Sequence, residues 1–137
     1  MKKSIFSGAV LIAISGLSQA AEVNLAPQRG INSNLQDGMR IATGRITCRE
    51  AHTEFHVWIN AYPVGNRSGS YIIQGKRGSS HELRVRIDGE RWAPSVNKGN
   101  GMVRRAKDEQ VVFDVVADGK QYVAPDEYIY TVTAECL

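Results

Sequence analysis

Residues 128–137 read Tyr-Ile-Tyr-Thr-Val-Thr-Ala-Glu-Cys-Leu, and the fold turns on them. Tyr128, Tyr130, Val132, Ala134 and Cys136 fall on alternate positions. Successive side chains of a β-strand point to opposite faces, so these five share one face of a strand. Cys136 stands at its end, with Leu137 after it. The other cysteine, Cys48, closes a second alternating run. There Ala42, Gly44, Ile46 and Cys48 share one face, and Thr43, Arg45, Thr47 and Arg49 the other.

The same period recurs along the chain. Val23 and Leu25 alternate with Glu22 and Asn24. Phe55, Val57 and Ile59 alternate with His56, Trp58 and Asn60, which puts Trp58 on the outside. Leu83, Val85 and Ile87 alternate with Glu82, Arg84, Arg86 and Asp88. Val111, Phe113 and Val115 alternate with Val112, Asp114 and Val116, and Tyr71-Ile72-Ile73 is a short apolar run. No segment has helical periodicity. Turns are marked at Gly65-Asn66, Arg77-Gly78, Asp88-Gly89 and Asp118-Gly119, and Pro125-Asp126 turns the chain into the last strand. Residues 93–101 read as a mobile loop. Short strands with turns between them predict an all-β antiparallel sandwich.

The first residues set the compartment. Lys2 and Lys3 precede a mostly apolar stretch, residues 5–17, and Ser18-Gln19-Ala20 offers small residues where a signal peptidase reads. Residues 1–20 are therefore expected to be a secretory signal peptide, with one domain in residues 21–137. The apolar stretch is shorter than the roughly 20 residues that span a bilayer, and no second one follows, so no membrane span is expected. Two cysteines in an exported protein read as one disulfide, Cys48–Cys136.

Such a bridge between two sandwich strands has a counterpart in immunoglobulin-like domains, where it links strands B and F and a strand G follows F. Here only Leu137 remains after Cys136. The expectation is an incomplete Ig-like sandwich lacking strand G, with a groove beside strand F between Val23 and Leu25 on one side and Tyr130, Val132 and Ala134 on the other. An apolar edge of that kind is a template for another strand. Two antibody-type hallmarks are missing or displaced: alternation puts Trp58 outside the core, and Ala134 stands where a tyrosine usually precedes the second cysteine.

Charge and motifs exclude other classes. Loss of residues 1–20 removes Lys2 and Lys3 and no acid, so the 17 Lys and Arg become 15 against 14 Asp and Glu. Export and this near-neutral balance argue against nucleic acid. Residues 76–107 hold nine Lys and Arg and three acids, whereas residues 108–137 hold one Lys and seven acids. This reads as solvated strand faces, the sharper alternative being a cationic patch for an acidic partner. His52 and His56, four apart on a strand, would lie roughly 13 Å apart, too far for one metal ion. No nucleophile elbow, paired carboxylates or phosphate loop is present, so neither an enzyme nor a cofactor is expected.

Four stretches carry a family resemblance: ATGRITCREAHTEFHVW at residues 42–58, HELRVR at 81–86, EQVVFDVVADG at 109–119 and APDEY at 124–128. With the mature start Ala21-Glu22, they make the chain similar to the AfaD-like invasins and minor subunits of Afa/Dr and aggregative adherence fimbriae. The resemblance implies a chaperone–usher surface fibre of a Gram-negative bacterium, with the incomplete fold completed by donor-strand complementation. The implied partners are a periplasmic chaperone, an outer-membrane usher, the donor strand of the major subunit and a host cell-surface receptor, an integrin among the candidates. The implied place is the fimbrial tip on the bacterial surface. Residues 21–39 offer strand residues Val23 and Leu25 and then a turn-rich stretch, with no second alternating segment to donate, which also suits a tip subunit. The implied role is an adhesin or invasin for epithelial cells, the alternative a structural or assembly-initiating tip subunit without receptor activity. Trp58, Arg84, Arg86 and Arg91 are the candidate receptor surface.

Overall fold

A computed structural model of the chain describes residues 11–12, 21–30, 32–95 and 100–137. The expected signal segment, residues 1–20, lies outside the described residues apart from two positions, and so do residues 96–99 of the expected loop. The strands are β1 (Leu11–Ile12), β2 (Ala21–Pro27), β3 (Asn34–Leu35), β4 (Arg40–Thr47), β5 (Glu54–Ile59), β6 (Tyr62–Val64), β7 (Arg67–Gln74), β8 (Glu82–Asp88), β9 (Ala93–Pro94), β10 (Met102–Arg105), β11 (Gln110–Ala117), β12 (Gln121–Tyr122) and β13 (Val132–Cys136). Among the described residues there is no helix, and every strand pairing is antiparallel.

The first sheet runs in the order β1-β2-β4-β11-β8-β7-β6, the second in the order β13-β5-β10-β9, and β12 pairs with β3 in a small ribbon. The alternation seen in the sequence sets the faces. Val23, Leu25, Ala42, Ile46, Leu83, Val85, Ile87, Val111, Phe113 and Val115 bury against Phe55, Val57, Ile59, Val132 and Ala134 of the second sheet. This is an Ig-like sandwich with an open edge: β2-β4-β11-β8 corresponds to strands A, B, E and D, and β13-β5 to F and C. The β4–β11 register shifts between Val115, opposite Ala42, and Val116, opposite Arg40; the residue passed over is Ile41, and Ile41 and Ala42 are both buried in the core.

Three expectations need correcting. Residues 93–101 are not simply a loop: Ala93 and Pro94 pair with Val103 and Met102, and β10 also pairs with β5. The sequence Met-Val-Arg-Arg has no alternation to announce a strand, and main-chain pairing alone defines it. His56 is 4% exposed although it lies on the outward side of β5, because its Nε2 sits 2.7 Å from the Asn100 carbonyl and its Nδ1 3.2 Å from Glu135 Oε2. Trp58, beside it, is half-buried rather than exposed, with its ring 4.7 Å from that of His56. Gly101, at φ +93°, brings the chain over both side chains, and a Cβ there would meet Trp58 Cβ and His56 Nε2.

Tyr128 supplies the tyrosine that Ala134 does not. Its hydroxyl donates to the Ala124 carbonyl at 2.6 Å, four residues upstream, at the corner that leads into β13. That is the bond a tyrosine corner makes in Ig-type domains. Regular strand structure begins only at Val132, yet Tyr128 and Tyr130 are as buried as the strand residues after them.

Candidate functional site

The second sheet ends at β13. Along one side β13 pairs with β5, from Val132 opposite Ile59 to Cys136 opposite Phe55. Main-chain bonds extend this ladder: Leu137 N–H donates to the Glu54 carbonyl at 2.8 Å, and Thr53 N–H to the Leu137 carbonyl at 2.8 Å. On its other side β13 has no partner strand among the described residues. Its outward face is fastened to β5 as well, since the Asn60 side-chain amide donates to the hydroxyls of Thr131 at 2.8 Å and Thr133 at 2.7 Å. The strand is held on one side and open on the other.

Across the sandwich from that open edge stands β2, which is in contact with β13. β2 pairs with β4 from Glu22 to Pro27, and its outer edge meets β1 at Ala21 and Glu22. Val23 and Leu25 of β2 and Tyr130, Val132 and Ala134 are all buried. The two halves of the expected groove thus come from different sheets and meet at the edge where the sandwich is not closed.

Two features lock the rear of this edge. Cys48 and Cys136 form a disulfide with their Cα atoms 6.5 Å apart, joining the end of β4 in the first sheet to the end of β13 in the second. The turn before β13 is held by Asp126, whose side chain is wholly enclosed. Its carboxylate accepts from the N–H groups of Arg77 at 3.0 Å, Gly78 at 3.1 Å and Glu127 at 2.6 Å, and lies 2.9 Å from His81 Nδ1. Burial alone would push the Asp126 carboxyl up; His81 and the three backbone N–H groups outweigh it and hold the group down at about 2. Asp126 therefore fixes the loop after β7 against the approach to β13. The sequence marked Pro125-Asp126 only as a turn, and nothing in the linear pattern says that a turn carboxylate is enclosed.

The candidate receptor residues do not form one surface. Trp58 lies in the second sheet, on β5, whereas Arg84 and Arg86 lie in the first, on β8. Arg86 is engaged within the molecule, its guanidinium 2.8 Å from Asp37 Oδ1 and 3.1 Å from Asp118 Oδ1. The bond to Asp37 leads the effects that raise the Arg86 pKa, and the same bond lowers that of Asp37. The Arg84 main chain is clamped by Gln121, whose side chain accepts from Arg84 N–H and donates to the Arg84 carbonyl, each at 2.9 Å. Arg91, exposed at φ +69° in the turn after β8, is the freest of the set. The remaining histidine, His52, bridges the carbonyls of Glu50 at 2.6 Å and Asp108 at 2.7 Å. Among the described residues no cluster of three His, Cys, Asp or Glu is placed to hold a metal, and no helix is long and apolar enough to cross a membrane.

Comparison with known proteins agrees with this geometry. The family model of the Enterobacteria AfaD invasin protein matches residues 31–134. The chain is similar to protein AggB of Escherichia coli, 46% identical over 141 residues that cover 100% of this chain and 97% of AggB. It is also similar to protein AfaD of Escherichia coli, 49% identical over 131 residues that cover 95% of this chain and 88% of AfaD. Among solved structures, the minor tip subunit HdaB of the E. coli Hda pilus superposes with a TM-score of 0.80 at 39% identity, covering 85% of this chain and 82% of HdaB.

Proposed function

Because the chain belongs to the AfaD invasin family and is a minor fimbrial subunit, we propose that it is a tip subunit whose open β13 edge accepts a strand from another protein. The occupant is first a periplasmic chaperone, delivering the subunit to an outer-membrane usher, and then the donor strand of the major subunit. The mechanism is β-augmentation: main-chain bonds along β13 set the pairing, and alternate apolar side chains enter between β2 and β13. Each apolar side chain buried in this way contributes about 1.5–3 kcal/mol. The observation that carries the reading is the half-paired β13, bonded along one side only among the described residues, with Val132 and Ala134 buried and β2 in contact with the strand.

Glu22 to Pro27 of β2 pair with β4 of their own sheet. A subunit with that segment so committed accepts a strand without giving one, which supports a place at the fibre tip. Residues 1–20 act as the signal peptide and residues 21–137 as the single subunit domain in this reading. At the tip the subunit contacts host epithelial cells as an adhesin or invasin, a reading supported by the word invasin in the family's description.

A second reading, a structural or assembly-initiating tip subunit, draws support from the internal engagement of Arg86 and the half-burial of Trp58. Two measurements test these readings. A peptide from the major subunit's N-terminus should raise the melting temperature of the domain by tens of degrees, and an unchanged melting point overturns strand acceptance. Beads coated with the complemented domain should bind and enter epithelial cells. Inert beads leave the structural reading standing and remove the adhesin.

A further inference from the structure

Three tyrosines lie among the largest fully enclosed side chains, and they differ in one respect. The Tyr71 hydroxyl donates to Asn100 Oδ1 at 2.9 Å, and the Tyr128 hydroxyl donates to the Ala124 carbonyl at 2.6 Å. The Tyr130 hydroxyl, on a residue 2% exposed, has no hydrogen-bond partner among the described residues. An enclosed hydroxyl left unpaired forfeits the bonds it would make to water, and native interiors rarely tolerate that. Tyr130 is also the first of the three residues expected to line the groove, two positions before β13 begins at Val132.

We propose that Tyr130 selects the incoming strand and fixes its register. The strand that seats beside β13 carries a hydrogen-bonding side chain, serine, threonine or asparagine, at the one inward position that meets the Tyr130 hydroxyl, and apolar side chains at the inward positions that meet Val132 and Ala134. The inference rests on the strand-accepting reading and specifies its partner. The strand's own N–H and C=O groups on the side facing β13 are consumed by pairing, so the hydroxyl has to be met by an inward side chain. Inward positions recur every second residue. A slip of two residues along β13 would therefore place an apolar group over the hydroxyl and a polar group over Val132, and both changes leave a polar atom enclosed without a partner. A purely apolar groove would tolerate that slip; this one discriminates against it, as single buried polar groups set register elsewhere.

The test uses synthetic peptides of the major subunit's donor segment in which each inward position is set in turn to serine, asparagine or valine. Their affinities are measured for the wild-type domain and for Tyr130→Phe. The wild type should prefer serine or asparagine over valine at a single position, by roughly tenfold, which corresponds to about 1.4 kcal/mol. Tyr130→Phe should lose that preference or reverse it while keeping the apolar preferences elsewhere. In the wild type alone, binding of the serine peptide should slow the exchange of the Tyr130 hydroxyl proton seen by NMR. An identical ranking of peptides by both proteins, or a wild-type preference for valine at every inward position, overturns the proposal. Should no peptide bind either protein, strand acceptance itself falls and takes this inference with it.

Discussion

Gly44 lies beneath the ring of Phe113. The two are direct partners across β4 and β11, and the ring occupies the space that a side chain at position 44 would enter. Phe113 is fixed from the other side by Trp92, whose ring meets it edge-on at 6.2 Å. Trp92 is in turn anchored by its indole N–H, which donates to the Val112 carbonyl at 2.9 Å. The glycine is therefore a packing residue, needed so that an aromatic ring can lie flat on the sheet.

Gly44→Ala should destabilise the domain by about 1–3 kcal/mol, the usual cost of forcing extra atoms into a packed core. Urea unfolding measures it. Pairing the change with Phe113→Leu should restore part of the loss, because the smaller side chain vacates the space. A Gly44→Ala protein as stable as the wild type would mean that the ring does not lie there.

The Cys48–Cys136 bridge closes a loop with a sequence separation of 88 residues. By the chain-entropy argument a loop of that size is worth about 4.5 kcal/mol. Cys136→Ser should lower the denaturation midpoint by a corresponding amount and cut the yield of chaperone-bound subunit sharply. Addition of a reductant should do the same to the wild type and nothing further to the variant.

Asp126 makes the fold acid-sensitive. Its carboxyl titrates at about 2 in the folded protein against an ordinary value of 3.8. A lowered folded value means that ionisation stabilises the fold above 3.8, and that this contribution is lost as the pH falls through about 2. The melting temperature should therefore drop across that window. Asp126→Asn should melt lower at neutral pH and show a shallower acid dependence. Equal slopes for the two proteins would show that the carboxylate is not held as described.

Removing hydroxyls should separate the buried tyrosines. Tyr128→Phe and Tyr71→Phe each delete a bond and should cost about 1 kcal/mol in the free domain. Tyr130→Phe deletes none and should leave the free domain's stability unchanged or slightly raised. Three thermal melts decide it, and a large loss for Tyr130→Phe would reveal a partner for its hydroxyl.

How much of this was legible from the residues follows from what sets each feature. Strand faces were legible because alternation of Leu83, Val85 and Ile87 against Arg84 and Arg86 leaves one way to bury the apolar set. The disulfide was legible because the sequence holds two cysteines, which allow one pairing. What stayed hidden depends on which strands become neighbours. β10 has no alternation, and its pairing with β5 and β9 is made by the main chain. His56 and Trp58 read as outward residues and are on that side, but the chain near Asn100 covers them, and nothing local to either predicts it. Trp58 and Arg86 read as parts of one surface, yet β5 and β8 belong to different sheets. The enclosure of Asp126 and the unpaired hydroxyl of Tyr130 are likewise products of tertiary packing.

The bridge has a mechanical consequence. Tension applied between Ala21 and Leu137 enters the sulfur–sulfur link at Cys48 and leaves it at Cys136, bypassing the chain between them. Only the 27 peptide steps from Ala21 to Cys48 and the single step from Cys136 to Leu137 can then pay out, about 90–100 Å when fully drawn, whereas the shielded portion would otherwise add about 290–320 Å. Stretched between these two residues, the oxidised domain behaves as a knot with a short tether. The tether includes β2, which lies outside the covalent ring, so tension reaches that strand before it reaches the ring.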